Sequence, residues 1–137
     1  MRILFLVNGQ SGKELYGSYI QGLRTRHDVD LAERTSDAWA LAQQNQYDLA
    51  ITEEVLAISR NDPFEGKVRS DRTAVAFIQL LGNQQPPAAM RAILLESQWR
   101  EYDETSLSQR CGIPVEILPL PFDYRQLIAS IKGEVTA

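Results

Sequence analysis

Cysteine and histidine are nearly missing from this chain, with Cys111 and His27 the only ones among 137 residues. A lone cysteine makes no internal disulfide, and one thiol with one imidazole builds no metal cage of those ligands. Long apolar runs are missing too. A membrane-spanning helix needs about 20 consecutive apolar residues, whereas the first strong run, Ile3 to Val7, gives way at once to Asn8-Gly9. That run is also too short, and too quickly polar, for a signal peptide. Positive charge is not in excess: 14 Lys and Arg against 18 Asp and Glu leave a formal net charge of −4. This balance argues against a broad footprint for nucleic acid or anionic lipid. Repeats, low-complexity tracts and internal linkers are likewise lacking. What is present is 44% apolar and 23% charged residues, an ordinary globular composition. The length suits one domain with a core of its own and no need of a staple. Residues 1–137 are therefore read as a single domain.

Hydrophobic periodicity alternates between two kinds. Ile3-Leu4-Phe5-Leu6-Val7 reads as a strand buried on both faces and ended by a turn at Asn8-Gly9. Leu15, Tyr16, Tyr19, Ile20 and Leu23 follow at helical spacing, with Arg24 and Arg26 at the end that favours positive charge. Asp28 to Glu33 alternates as a half-exposed edge strand. Thr35-Ser36-Asp37 offers N-caps to a helix through Ala42, and Leu49-Ala50-Ile51 is a third strand. Residues 55–71 read as a loop, with one helical turn near Val55-Leu56. A helix from Arg72 or Thr73 to Leu81, a strand Ala92–Leu95, a short helix from Asp103 to Arg110 stopped by Gly112, a strand Val115–Leu118 and a helix after Asp123 complete the chain. The order βαβαβαβαβα predicts an α/β fold: a doubly wound five-stranded parallel sheet with helices on both faces, of receiver or flavodoxin type.

Ligands of such sheets sit beyond the carboxyl ends of the strands, where the strand order reverses. Gly9-Gln10-Ser11-Gly12-Lys13 has the flavour of a phosphate loop but lacks the earlier glycine, and Glu14 stands where a hydroxyl should hold magnesium. Its competing reading is a polar turn between the first strand and the first helix, with Lys13 in solvent. Glu53, Glu54 and Glu96 end the third and fourth strands. Paired carboxylates there would share a proton or hold a cation, although solvated strand-end acids are the simpler reading. Trp99 and Tyr102 beside Arg100 have the composition of a binding hot spot, with a lid over the core as the alternative for Trp99.

Tyr47-Asp48-Leu49-Ala50-Ile51-Thr52-Glu53 and Leu120-Pro121-Phe122-Asp123 resemble response-regulator receiver domains of two-component signalling, as does the passage from Asp28 to Ala42. The resemblance runs from Arg2 to Lys132. It implies a pocket of two acids after strand 1, a phosphoacceptor Asp ending strand 3, a hydroxyl ending strand 4 and a Lys before a proline that follows a cis peptide. At those positions this chain has Asn8, Glu53, Glu96 and Leu120, while Ile117 replaces the family's switch aromatic. Without strand 1 acids there is no hard-cation site, and without Lys nothing offsets a phosphoryl charge. The resemblance thus implies a degenerate pseudo-receiver: no enzyme, no cofactor and no metal. It would be cytoplasmic, free of nucleic acid and membrane, and would act on protein partners or as a homodimer. The family's partner face carries over to Trp99, Tyr102, Leu107, Arg110, Ile117 and Tyr124, with residues 55–71 as a second surface. The alternatives are a flavodoxin-like flavin- or nucleotide-binding protein or enzyme using the strand ends, and a subunit that needs another chain.

Overall fold

The structure is a computed structural model that describes residues 1–54, 73–84, 90–96 and 103–133. Five strands, β1 (Arg2–Leu6), β2 (Asp28–Ala32), β3 (Leu49–Glu53), β4 (Arg91–Glu96) and β5 (Val115–Pro119), form one sheet in the order β2-β1-β3-β4-β5. Every neighbouring pair is parallel. Five helices alternate with them: α1 (Gly9–Arg24), α2 (Thr35–Gln44), α3 (Thr73–Gly82), α4 (Glu104–Cys111) and α5 (Tyr124–Lys132). The α/β doubly wound architecture read from the hydrophobic rhythm is the one observed. The 55–71 stretch, with its proposed helical turn, lies outside the described residues.

The apolar runs become strands because both sheet faces are covered, which leaves no polar face to alternate with. On one face α1 and α5 bring Tyr16, Ile20, Leu23, Leu127 and Ile131 down on Ile3, Phe5, Ile51 and Ile93. On the other, Ala38 of α2, Phe77, Ile78 and Leu81 of α3, and Leu107 and Cys111 of α4 cover Leu4, Leu6, Ala50 and Leu94. Arg91 at the start of β4 reaches across to donate to the carbonyls of Ser130 and Ile131 at the end of α5. A guanidinium there answers the partial negative charge of a helix carboxyl end.

Local signals set most helix ends. Asp103 caps α4 by accepting from the Thr105 and Ser106 amides, and Gly112 stops it in the left-handed conformation. Asp123 and Gln126 form a capping box at the start of α5. Two boundaries differ from the sequence reading. Only Val7 and Asn8, with a bend at Asn8, link β1 to α1, and Gly9, at φ +62°, is already the first residue of the helix. A side chain at that φ is strained, and glycine is not. The helix α2 starts at Thr35 after Arg34, with no side-chain cap. Thr35 is instead fully buried.

The outermost strand β5 is stitched to α4. The Val115 amide donates to Ser108 Oγ at 2.9 Å and the Ile117 amide to Glu104 Oε1 at 2.8 Å. Pro119 ends the strand with no amide to donate.

Candidate functional site

The strand order reverses between β1 and β3, so the carboxyl ends of these two strands frame the crevice where this architecture places its chemistry. Leu6 pairs with Thr52 in register, which sets Glu53 beside the exit of β1 into Asn8 and α1. The Glu53 carboxyl does not extend into solvent. It turns back over the first turn of α1 and accepts the Asn8 amide through Oε2. Gly12 makes the room: a Cβ there would run into that carboxylate and would lie 2.8 Å from Val7 Cβ. Gly12 is accordingly buried.

Burial raises the Glu53 carboxyl above its ordinary range, and the hydrogen bond from the Asn8 amide pulls the other way. Tyr16, one turn beyond Gly12 on the same helix face, is pushed up to about 12 by burial first, then by the Glu53 charge and by Tyr19. Glu54 is also buried, and its carbonyl accepts the Ala74 amide at 3.3 Å, tying the end of β3 to α3. Lys13 is half-exposed, 3.9 Å from Glu33 Oε1 across to the end of β2.

A raised folded-state carboxyl favours folding below its unfolded value of 4.5, and that contribution is lost as pH rises through the folded value. Glu53→Gln is therefore expected to melt higher than the native chain at pH 7.5. The difference should close below about pH 4.5, where both states of Glu53 are protonated. Thermal melts of the two chains across that range check the sign.

Of the residues singled out in the sequence, the structure brings Asn8 and Glu53 together. Leu120 is half-buried and joined to Pro121 by a cis peptide, as the resemblance implies. Glu96 ends β4 opposite Pro119, while its side chain is outside the described residues, as are Trp99 and Tyr102. The proposed partner face comes apart. Arg110 is exposed and Ile117 half-buried on the α4–β5 side, but Leu107 is core, 4% exposed. Helical spacing explains this, because Leu107 and Cys111 share the buried face of α4. Tyr124 points the other way and stacks on Tyr19 of α1 at 5.8 Å and 7°. The loop expected at 9–13 is the first turn of a helix, so Gln10 and Ser11 are helical residues with exposed side chains.

Sequence reasoning reached Gly12 and Phe122 only as parts of a loop and a family motif, and missed their packing roles and the site role of Tyr16. The available signal was the i, i+4, i+7 spacing of Gly12, Tyr16 and Tyr19, which puts a small residue and two aromatics on one stripe. Chemically the site holds one inward carboxyl satisfied by a backbone amide. Among the described residues no group of three His, Cys, Asp or Glu side chains converges to hold a metal ion.

This fold, a five-stranded parallel sheet in the order 2-1-3-4-5 with five helices, is that of response-regulator receiver domains. A chemotaxis protein of Vibrio cholerae superposes with a TM-score of 0.69 at 15% identity, covering 98% of each chain. The regulatory domain of a repressor of iron transport regulator, in its inactive form, gives 0.67 at 22% identity over 96% of this chain and 92% of that one. A member of a family of streptococcal redox sensors evolved from two-component response regulators gives 0.68 at 21% identity, covering 97% of this chain and 50% of that one. No family profile and no curated protein matches the sequence.

Proposed function

We propose that the chain is a receiver-like signalling unit that accepts no phosphoryl group and works by protein–protein contact in a two-component or related pathway of the cytoplasm. The observation that carries this reading is the inward Glu53 carboxyl, seated on the Asn8 amide in the pocket where receivers transfer phosphate. Phosphoryl transfer needs cations or metal to spread the charge of the moving group. Here the acceptor position is itself turned away, Asn8 replaces an acid, and Leu120 replaces the Lys. Nothing in that set is a nucleophile aimed at solvent, which fits a domain that is not an enzyme. The receiver fold of a redox-sensor family evolved from response regulators supports signalling by this scaffold on other inputs.

Partner contact is assigned to the α4–β5 side, where Arg110 is exposed and Ile117 half-buried, together with Trp99 and Tyr102. The intact mass of the full chain, incubated with acetyl phosphate and magnesium, is expected not to change. A stoichiometric phosphoryl adduct at Glu53 would overturn the reading.

A further inference from the structure

Five rings run from the buried site to the surface. Phe5 of β1 meets Tyr16 at 5.8 Å, and Tyr16 stacks on Phe122 at 6.2 Å and 8°. Tyr19 touches both Tyr16 (6.0 Å) and Phe122 (5.9 Å), then stacks on Tyr124. Exposure increases outward: Tyr16 is 3% exposed and Tyr124 37%. Glu53 lies near the buried part of the ladder, close enough for its charge to act on Tyr16. Its carboxyl rests on Gly12, and a helical side chain leans back over the turn that precedes it, so Tyr16 covers the turn that Gly12 opens.

The outer end is equally tight. A Cβ on Gly22 would lie 2.7 Å from the Tyr124 hydroxyl, so the hydroxyl end of the ring packs closely on α1. Closely packed aromatic contacts transmit small displacements because interiors have few voids to absorb them. Offset ring pairs also have preferred geometries rather than a continuum of them.

We propose that this aromatic ladder couples the position of the Glu53 carboxyl to the exposed Tyr19–Tyr124 pair on the α1–α5 side. The pocket would thereby be read out on the side of the sheet opposite α4. Tyr19 is the rung that joins Tyr124 to the ladder, because it is the one ring that Tyr124 touches among the described residues. Phe122 is a second path between Tyr16 and Tyr19, not a path to Tyr124. The coupling holds whether or not the pocket accepts a phosphoryl group, so it fails or stands separately from the proposed function.

The test uses the full chain with 13C-labelled tyrosine rings and compares ring signals in the native protein and Glu53→Gln. Signals of Tyr16, Tyr19 and Tyr124 are expected to shift. Tyr47 is the internal control, since it is held at the opposite end of the sheet by its hydrogen bond to Asp30 at 2.6 Å, and it should not move. In a Tyr19→Leu background, Glu53→Gln should still move Tyr16, while the shift at Tyr124 is lost. A Tyr124 signal that stays fixed in Glu53→Gln overturns the proposal, as does a Tyr124 shift of equal size without Tyr19. Glu53→Asp, which shortens the same acid, supplies an independent displacement and should give the same pattern.

Discussion

Gly82→Ala is expected to destabilise the protein by about 3 kcal/mol, the upper end of what overpacking a core costs. Gly82 is the last residue of α3, and a Cβ added there would fall on the carbonyl oxygen of Cys111 and lie 2.9 Å from its carbonyl carbon. The obstacle is backbone, so no rotamer change relieves it. Moving Cys111 away means parting α3 from α4 and opening the packing of Leu81, Leu107 and Cys111 over β4. Alanine's advantage over glycine inside a helix, about 1 kcal/mol, is far too small to offset that. For a domain of this size the loss corresponds to roughly 10 °C in melting temperature. Gly17→Ala is the matched control: it lies within α1 with nothing within 4 Å of an added Cβ, and should stabilise by about 0.5–1 kcal/mol. Urea titration of both variants against the native chain measures the contrast. A Gly82→Ala chain as stable as the native one would mean that α3 and α4 are not in contact there.

The second large effect is expected at Gly12→Ala, at about 2–3 kcal/mol. Overpacking against Val7 Cβ contributes one part. The other part comes from Glu53, whose carboxyl must leave the place it shares with Gly12 and so release the Asn8 amide, and an unpaired buried donor costs about 1–3 kcal/mol. The two parts separate in a double variant. Glu53→Ala already gives up the Asn8 contact, so adding Gly12→Ala to it should cost at least ~0.5 kcal/mol less than Gly12→Ala costs alone. Strict additivity would place the Glu53 carboxyl away from α1. Equilibrium denaturation of the four chains provides the measurement.

The sheet was legible in the sequence because its three central strands are short apolar runs covered on both faces, a pattern that survives without tertiary context. Asp103 and Gly112 were legible for the same reason, since caps act within a turn of their own residue. The degenerate pocket positions Asn8, Glu53 and Leu120 were found from the resemblance, but the inward turn of Glu53 was not. Its direction depends on the missing side chain of Gly12, a contact between residues far apart in the chain. Tyr124 shows the same limit: in the first turn of α5 it can face either neighbouring helix, and Tyr19 decides. Leu107 was different. Its four-residue spacing from Cys111 was readable and pointed to the core rather than the surface.

The stitching of β5 to α4 bears on how this molecule avoids its own kind. An outer strand is a template for another chain, and natural sheets defend such edges. Here Ser108 and Glu104 already hold the Val115 and Ile117 amides, and Pro119 offers none. A foreign strand arriving at this edge finds its donors taken, so backbone-driven self-association and fibre-like stacking are disfavoured there. Whatever docks on this side must recognise side chains.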